Sequence, residues 1–317
     1  MTNYPISHIP NNPELKDLAH MVKDITFTSR EEDPLQLQLL QPWKLLDSEG
    51  NDLVYPAVVF VQGSSWTFPN VYYELPQLAQ LARRGYVVAT VTHRSFLDGH
   101  KSPAFLEDVK TSIRFLRANA EQYHIDPERI GIWGTSSGGN TALLVGLTAD
   151  MPKFKTTEWQ EQSDAVKFVV DCFGPTNTVL MIEQIQGAIA KFQAEIKSLP
   201  PGQQLYKQKQ KLEKASTLES GLKQFLGRED GSLDMERVRE ISPVHWLDAE
   251  KTYPPFLLLH GDEDRTVRYE QSLLMYKALQ DHGTVAEMIC VDGADHENDF
   301  WSQEVLNAIW DFIAKHI

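Results

Sequence analysis

Six short, nearly unbroken apolar runs constrain this chain more than any other feature: "YPAVVFVQG", "GYVVATVTHR", "RIGIWG", "AVKFVVDCFG", "PPFLLLHGD" and "VAEMICVDG". A strand exposed on one face alternates apolar and polar residues, whereas a strand covered on both faces does not need to. Amphipathic stretches separate these runs. One spans Val71 to Arg84 and ends at Gly85. "PAFLEDVKTSIRFLRANAEQY" places Phe105, Val109, Ile113 and Leu116 on one helical face, and "SQEVLNAIWDFIAKHI" closes the chain. Buried strands alternating with helices predict an α/β fold, a mostly parallel central sheet with helices on both faces. Ahead of it, "VKDITFTS" and "LQLQLLQP" do alternate, so Met21 to Pro42 reads as a β-hairpin turning at "REEDP".

One segment breaks the rhythm. Residues 177–240 carry no strand signal, and Ile182, Ile185, Ile189, Phe192 and Ile196 recur at helical spacing before Pro200-Pro201 interrupts the chain. A second, more polar helical stretch follows from Gln203 to Leu222. The expectation is a single domain over residues 1–317 with a helical cap insertion at 177–240.

Two adjacent serines sit in the glycine cluster "GIWGTSSGGN". Gly-x-Ser-x-Gly needs glycine two residues before and two after its serine. Ser136 meets this through Gly134 and Gly138, whereas Ser137 has Thr135 and Gly139 at those offsets. On a sharp strand-to-helix turn, flanking side chains would collide with the neighbouring elements. Ser136 is thus the candidate nucleophile, and the N–H of Ser137 opens the following helix towards a developing oxyanion. A serine hydroxyl needs a base. His296, in "VDGADHEND", follows the last strand, while His260 ends "FLLLH" and reads as a structural group. The base needs an acid to hold its tautomer. "HGDEDRTV" offers Asp262, Glu263 and Asp264, of which Asp264 is best placed to turn back over the sheet. Ser136, Asp264, His296 is the chain order of α/β-hydrolases.

"FVQGSSW" follows the strand "AVVFV", where the first oxyanion loop of such folds lies. Here the chain resembles the esterase branch of the α/β-hydrolases that carries His-Gly-Gly-Gly-Trp, including the hormone-sensitive-lipase-like enzymes. It is most similar to bacterial feruloyl and acetyl-xylan esterases, sharing "DPERIGIWGTSSGG", "HGDEDRTV" and the "GADH" histidine. The resemblance runs from Pro56 to the C-terminus, residues 177–240 excepted. It implies an oxyanion hole from the N–H groups of Ser64, Ser65 and Ser137. Gln62, Ser64 and Ser65 stand where His, Gly and Gly are usual, so the loop is expected to avoid positive φ. Trp66, Phe68 and Phe173 belong to loops near the nucleophile and are candidate walls of a substrate pocket, with core packing the alternative reading. Arg94 and Asp108 either pair or are solvated.

The resemblance implies hydrolysis of carboxylic esters, of hydroxycinnamoyl (feruloyl or chlorogenate-type) or short acyl kind, with no cofactor. A peptidase or amidase is the alternative within the same chemistry, and a non-catalytic ligand-binding homologue the alternative outside it. Composition bears on partners. With 44 acids against 30 bases the net charge is −14, the wrong sign for nucleic acid or an anionic membrane. The expected partner is a small-molecule ester, and a homo-oligomer is compatible with the sequence. The N-terminus lacks a basic-then-apolar leader pattern, so a cytoplasmic location is expected. Asp292, Asp295, His296 and Asp299 match no ligand spacing, and no metal is expected. Cys172 and Cys290 read as buried thiols.

Overall fold

A computed structural model describes residues 6–29 and 34–317. Strands β1 (Ala19–Thr26) and β2 (Gln36–Pro42) pair antiparallel with a bulge between Val22 and Ile25, while most of the expected hairpin turn, residues 30–33, lies outside the described residues. Next come β3 (Tyr55–Val61), α1 (Leu75–Ala82), β4 (Val87–Val91), α2 (Ala104–Ala118), β5 (Ile125–Thr135) and α3 (Ser137–Leu147). Helix α1 is shorter than its sequence pattern, because Pro76 is fixed in its first turn and cannot donate a hydrogen bond further in. Strand β6 (Val169–Cys172) leads to α4 (Thr178–Ser198), α5 (Gln203–Leu226) and α6 (Met235–Glu240). The chain ends through β7 (Phe256–Gly261), α7 (Glu270–His282), β8 (Ala286–Val291) and α8 (Gln303–His316).

The eight strands form one sheet in the order β1-β2-β4-β3-β5-β6-β7-β8, parallel from β4 to β8 and antiparallel across β1, β2 and β4. The apolar runs explain the layering. Along β3, Ala57, Val59 and Val61 pack into one core with α2, α3 and α7, while Val58 and Phe60 pack into a second with α1 and α8. Both faces are therefore covered, as the unbroken apolar patterning requires. The antiparallel edge pair terminates one side of the sheet. This is the α/β-hydrolase fold.

Parallel strands all end at the same edge, so the loops after β3, β5, β7 and β8 gather there. Above that edge, α4 and α5 form an antiparallel pair joined at Pro200-Pro201. Of the apolar stripe on α4, Ile182 and Ile185 are buried, whereas Ile189, Phe192 and Ile196 are half-buried towards the tip. Helix α5 runs four residues beyond its sequence pattern, and the extension carries Phe225 and Leu226 into the main core.

Candidate active site

The turn between β5 and α3 is steric in origin. Ser136 adopts φ 52° and ψ −122°, a conformation L-residues rarely take. A Cβ on Gly134 would sit 2.1 Å from the Gly138 carbonyl oxygen, and one on Gly138 would sit 2.0 Å from that of Val61. Only hydrogen at both flanks lets the turn close. Ser136 N–H donates to Cys172 O at 2.9 Å and Asn140 N–H to Ser136 O at 3.0 Å, tying the turn to β6 and starting α3.

The structure brings Ser136, His296 and Asp264 together. His296 Nε2 lies 3.1 Å from Ser136 Oγ, and His296 Nδ1 lies 2.6 Å from Asp264 Oδ2. Asp264 Oδ1 accepts the N–H groups of Thr266 (2.7 Å) and Val267 (2.9 Å). Burial pushes the Asp264 carboxyl up, but hydrogen bonds from His260 and His296 outweigh it and hold the group well below the usual carboxylate range. An ionised carboxylate only accepts. In the neutral ring, Nδ1 of His296 therefore carries the hydrogen, and Nε2 presents its lone pair to the serine hydroxyl.

The neighbouring acids have other tasks. Asp262 Oδ1 accepts the Gly293 N–H, and Asp295 Oδ1 accepts those of Arg265 and His296. Both brace the histidine loop, and neither reaches the imidazole nitrogens. Arg94 and Asp108 do pair, Nε to Oδ2 at 2.9 Å, joining the end of β4 to α2.

His260 does more than a strand-end residue needs to. Its Nε2 lies 3.2 Å from Asp264 Oδ2 and 2.9 Å from the Val267 carbonyl, and its Nδ1 lies 2.7 Å from Ser272 Oγ. A carbonyl only accepts, so Nε2 bears the hydrogen and the Ser272 hydroxyl donates to Nδ1. Asp264 Oδ2 is thus shared by two imidazoles. The only sequence signal for this was the closeness of His260 and Asp264 in "HGDED".

The loop after β3 departs from expectation in two respects. Ser65 and Trp66 both take positive φ, 54° and 58°, so these two positions keep a glycine-type path without being glycine. With Ser136, Phe173 and Glu297 they make five positive-φ residues around the site, each costing roughly 1–3 kcal/mol that the surrounding packing must offset. In addition, the Ser64 N–H is already taken by Ser137 Oγ at 2.9 Å. Among the described residues, no acceptor takes the N–H of Ser65 or Ser137. Gly63 lies against the nucleophile, where an added Cβ would come 2.7 Å from that of Ser136.

A cavity of about 1380 Å³ opens between this loop, the turns bearing Arg265 and Asp295, and the pair α4 and α5. Trp66, Phe96, Phe192 and Phe225 contribute to its apolar wall. Of the three candidate wall residues, Trp66 alone lines it, stacked on Phe225 with centroids 5.1 Å apart. Phe68 is 57% exposed and lies outside the cavity. Phe173 is buried behind the site, edge-on to His296 at 4.8 Å, and supports that ring instead of a substrate.

Among the described residues, the one group of three metal-ligating side chains with donor atoms within 4.8 Å of one another is Asp262, Cys290 and Asp292, all exposed. Cys290 is thus not the buried thiol its apolar run suggested, because β8 is an edge strand. Cys172 is buried, and both are free. No helix among the described residues is long and apolar enough to cross a membrane.

This strand order, with a strained serine on the turn after β5, defines the chain as an α/β-hydrolase. More particularly, the chain belongs to the BD-FAE family, whose model matches residues 45–279. Among curated proteins it is 26% identical over 250 residues to Esterase LipC of Mycobacterium tuberculosis, covering 78% of this chain and 53% of that one. It is 28% identical over 270 residues to the isoprenylcysteine alpha-carbonyl methylesterase ICME of Arabidopsis thaliana, covering 82% and 55%. The chain thus spans about half the length of these relatives. Among solved structures, a truncated carbohydrate esterase from gut microbiota superposes with a TM-score of 0.71 at 25% identity, over 94% of this chain and 96% of that one. Esterase 2 of Thermogutta terrifontis, with butyrate bound, shares the fold at a TM-score of 0.66 and 20% identity, over 92% and 93%.

Proposed function

We propose that this protein hydrolyses carboxylic esters through an acyl-enzyme on Ser136. The observation that carries the reading is the continuous hydrogen-bonded chain from Ser136 Oγ through His296 to Asp264, with a base nitrogen facing the hydroxyl. His296 Nε2 takes the serine proton as Oγ attacks the ester carbonyl. The carbonyl oxygen becomes an oxyanion held by the unpaired N–H groups of Ser137 and Ser65. Ser64 joins them only if its N–H leaves Ser137 Oγ. The imidazolium, stabilised by Asp264, then protonates the leaving alcohol. Water repeats the sequence and releases the acid. These steps need no cofactor. LipC, ICME and the two solved esterases are named for ester chemistry, which supports this reading.

The acyl group we favour is aromatic and of hydroxycinnamoyl size, because the cavity is large and Trp66, Phe96 and Phe225 wall it. Short acyl esters fit the same site with less contact. The test is a substrate panel of 4-nitrophenyl acetate, methyl ferulate and an aminoacyl anilide, run with wild type and Ser136→Ala. We expect turnover of both esters, little of the anilide, and a loss of several orders of magnitude in the variant. A Ser136→Ala protein that stays active, or a preference for the anilide, overturns the reading.

A further inference from the structure

The cavity is unlike the rest of the molecule in charge. The chain carries 30 basic against 44 acidic residues, yet Lys211, Lys214, Arg265 and Arg268 line the cavity against only Glu213 and Asp295. Those two acids offset the cations only in part. Asp295 Oδ1 is occupied by two backbone N–H groups, and Arg265 reaches carboxylates only at 3.7 Å (Glu263) and 3.8 Å (Asp295). Arg268 meets no carboxylate at ion-pair distance among the described residues, and Lys214 Nζ donates to the Thr266 hydroxyl at 3.4 Å. Lys214 thus meets Thr266, which lies between Arg265 and Arg268 in the chain and two positions beyond the carboxylate that holds His296.

Position decides which half of a substrate meets them. His296 must protonate the leaving oxygen, so the alcohol lies on the histidine side of Ser136 and the acyl group on the other. Arg265 follows Asp264 directly, and its N–H binds Asp295, the neighbour of His296. Arg265 is thereby tied to the histidine loop, on the alcohol side, and Arg268 and Lys214 line the same cavity, while Trp66 and Phe225 belong to the apolar part beside the oxyanion loop. Guanidinium forks suit a planar carboxylate.

We propose that the natural substrate is an ester of an apolar, aromatic-sized acid with an alcohol that bears a carboxylate, selected by Arg268, Arg265 and Lys214. The proposal rests on the ester-hydrolase reading above. It is tested with two matched probes, the cinnamoyl esters of 3-hydroxybenzoate and of 3-hydroxybenzamide, which differ in one charge and hardly in shape. Wild type should prefer the carboxylate ester in kcat/KM by about five- to tenfold at low ionic strength, the size expected of a few partly screened charges. The preference should shrink towards parity near ~0.5 M salt. Arg268→Gln should at least roughly halve it, and the triple variant with Arg265→Gln and Lys214→Gln should abolish it. These three side chains are exposed, so folding does not depend on them. Parity or reversal in wild type, or a preference undiminished in the triple variant, overturns the proposal. Cleavage of 4-nitrophenyl acetate with neither cinnamoyl ester cleaved also overturns it, and leaves ester hydrolysis standing. Failure on all three esters removes the ester reading itself.

Discussion

Two residues beside the proposed triad separate positioning from packing. His260 supplies one of four hydrogen bonds that hold Asp264 as a carboxylate. Replacing it by Leu removes that donor and frees Oδ2 to turn away from His296, whereas Gln, whose amide nitrogen falls near the position of Nε2, can still donate to it. His260→Leu should lower kcat for methyl ferulate about tenfold with little change in KM, and His260→Gln should restore most of it. Equal losses in the two variants would reduce His260 to packing. Ser137 is the second case. Its N–H is an oxyanion donor and survives substitution, while its Oγ only anchors Ser64. Ser137→Ala should keep kcat/KM within about tenfold of wild type, far from the loss expected of Ser136→Ala.

At the level of elements, the pair α4 and α5 has two different ends. Near the body, Met181, Ile185, Leu222 and Phe225 are buried with the main core, and Phe225 supports Trp66. Towards the tip, the helices pack mainly on each other, apart from the contact of Lys214 with Thr266. Removing the whole insertion would expose Trp66 and confuse selectivity with folding. Gln186 Nε2 lies 3.3 Å from Glu219 Oε1, so the two helices are adjacent at that level and a short connection spans them. Replacing residues 187–218 with a Gly/Ser linker should leave the fold intact. KM for methyl ferulate should rise more than KM for 4-nitrophenyl acetate, because only the larger acyl group reaches the removed wall. Equal changes in both, with circular dichroism unaltered, would show that the tip selects nothing.

Across the whole molecule, buried carboxyls set the pH dependence of stability. Burial, reinforced by Glu297, pushes Glu74 up to about 8, and one of its oxygens has no partner. Burial likewise pushes Asp171 up to about 7. A carboxyl whose folded pKa exceeds its unfolded one binds more protons when folded, so stability falls as pH rises between the two values. For Glu74 that window runs from about 4.5 to about 8. Asp264 works in the opposite sense, and its contribution is lost only as pH falls below the ordinary aspartate range. Glu74→Gln should therefore gain stability over wild type at pH 8, on the order of a few kcal/mol, and much less at pH 5. Urea unfolding at the two pH values measures this. A gain equal at both would remove ionisation as the cause.

Much of this architecture is legible in the sequence, for a physical reason. Strands covered on both faces need apolar residues at every position, so the parallel core of the sheet is written locally in runs such as "AVVFV" and "FLLLH". The nucleophile turn is equally local, since Gly134 and Gly138 are dictated by collisions within a few residues of Ser136 or with the adjacent strand. The choice of Asp264 and His296 followed from strand ends, because parallel strands deliver their loops to one edge. What tertiary structure alone decided concerns groups distant in sequence that compete for the same atom or space. The second imidazole on Asp264, the Ser137 hydroxyl occupying the Ser64 N–H, Phe173 behind His296, and Phe225 of α5 against Trp66 all depend on which loop packs on which. No periodicity records such choices. Positive φ at Ser65 and Trp66 is of this kind too. Intrinsic preference argues against it, and only contacts made after the chain has folded can hold it in place.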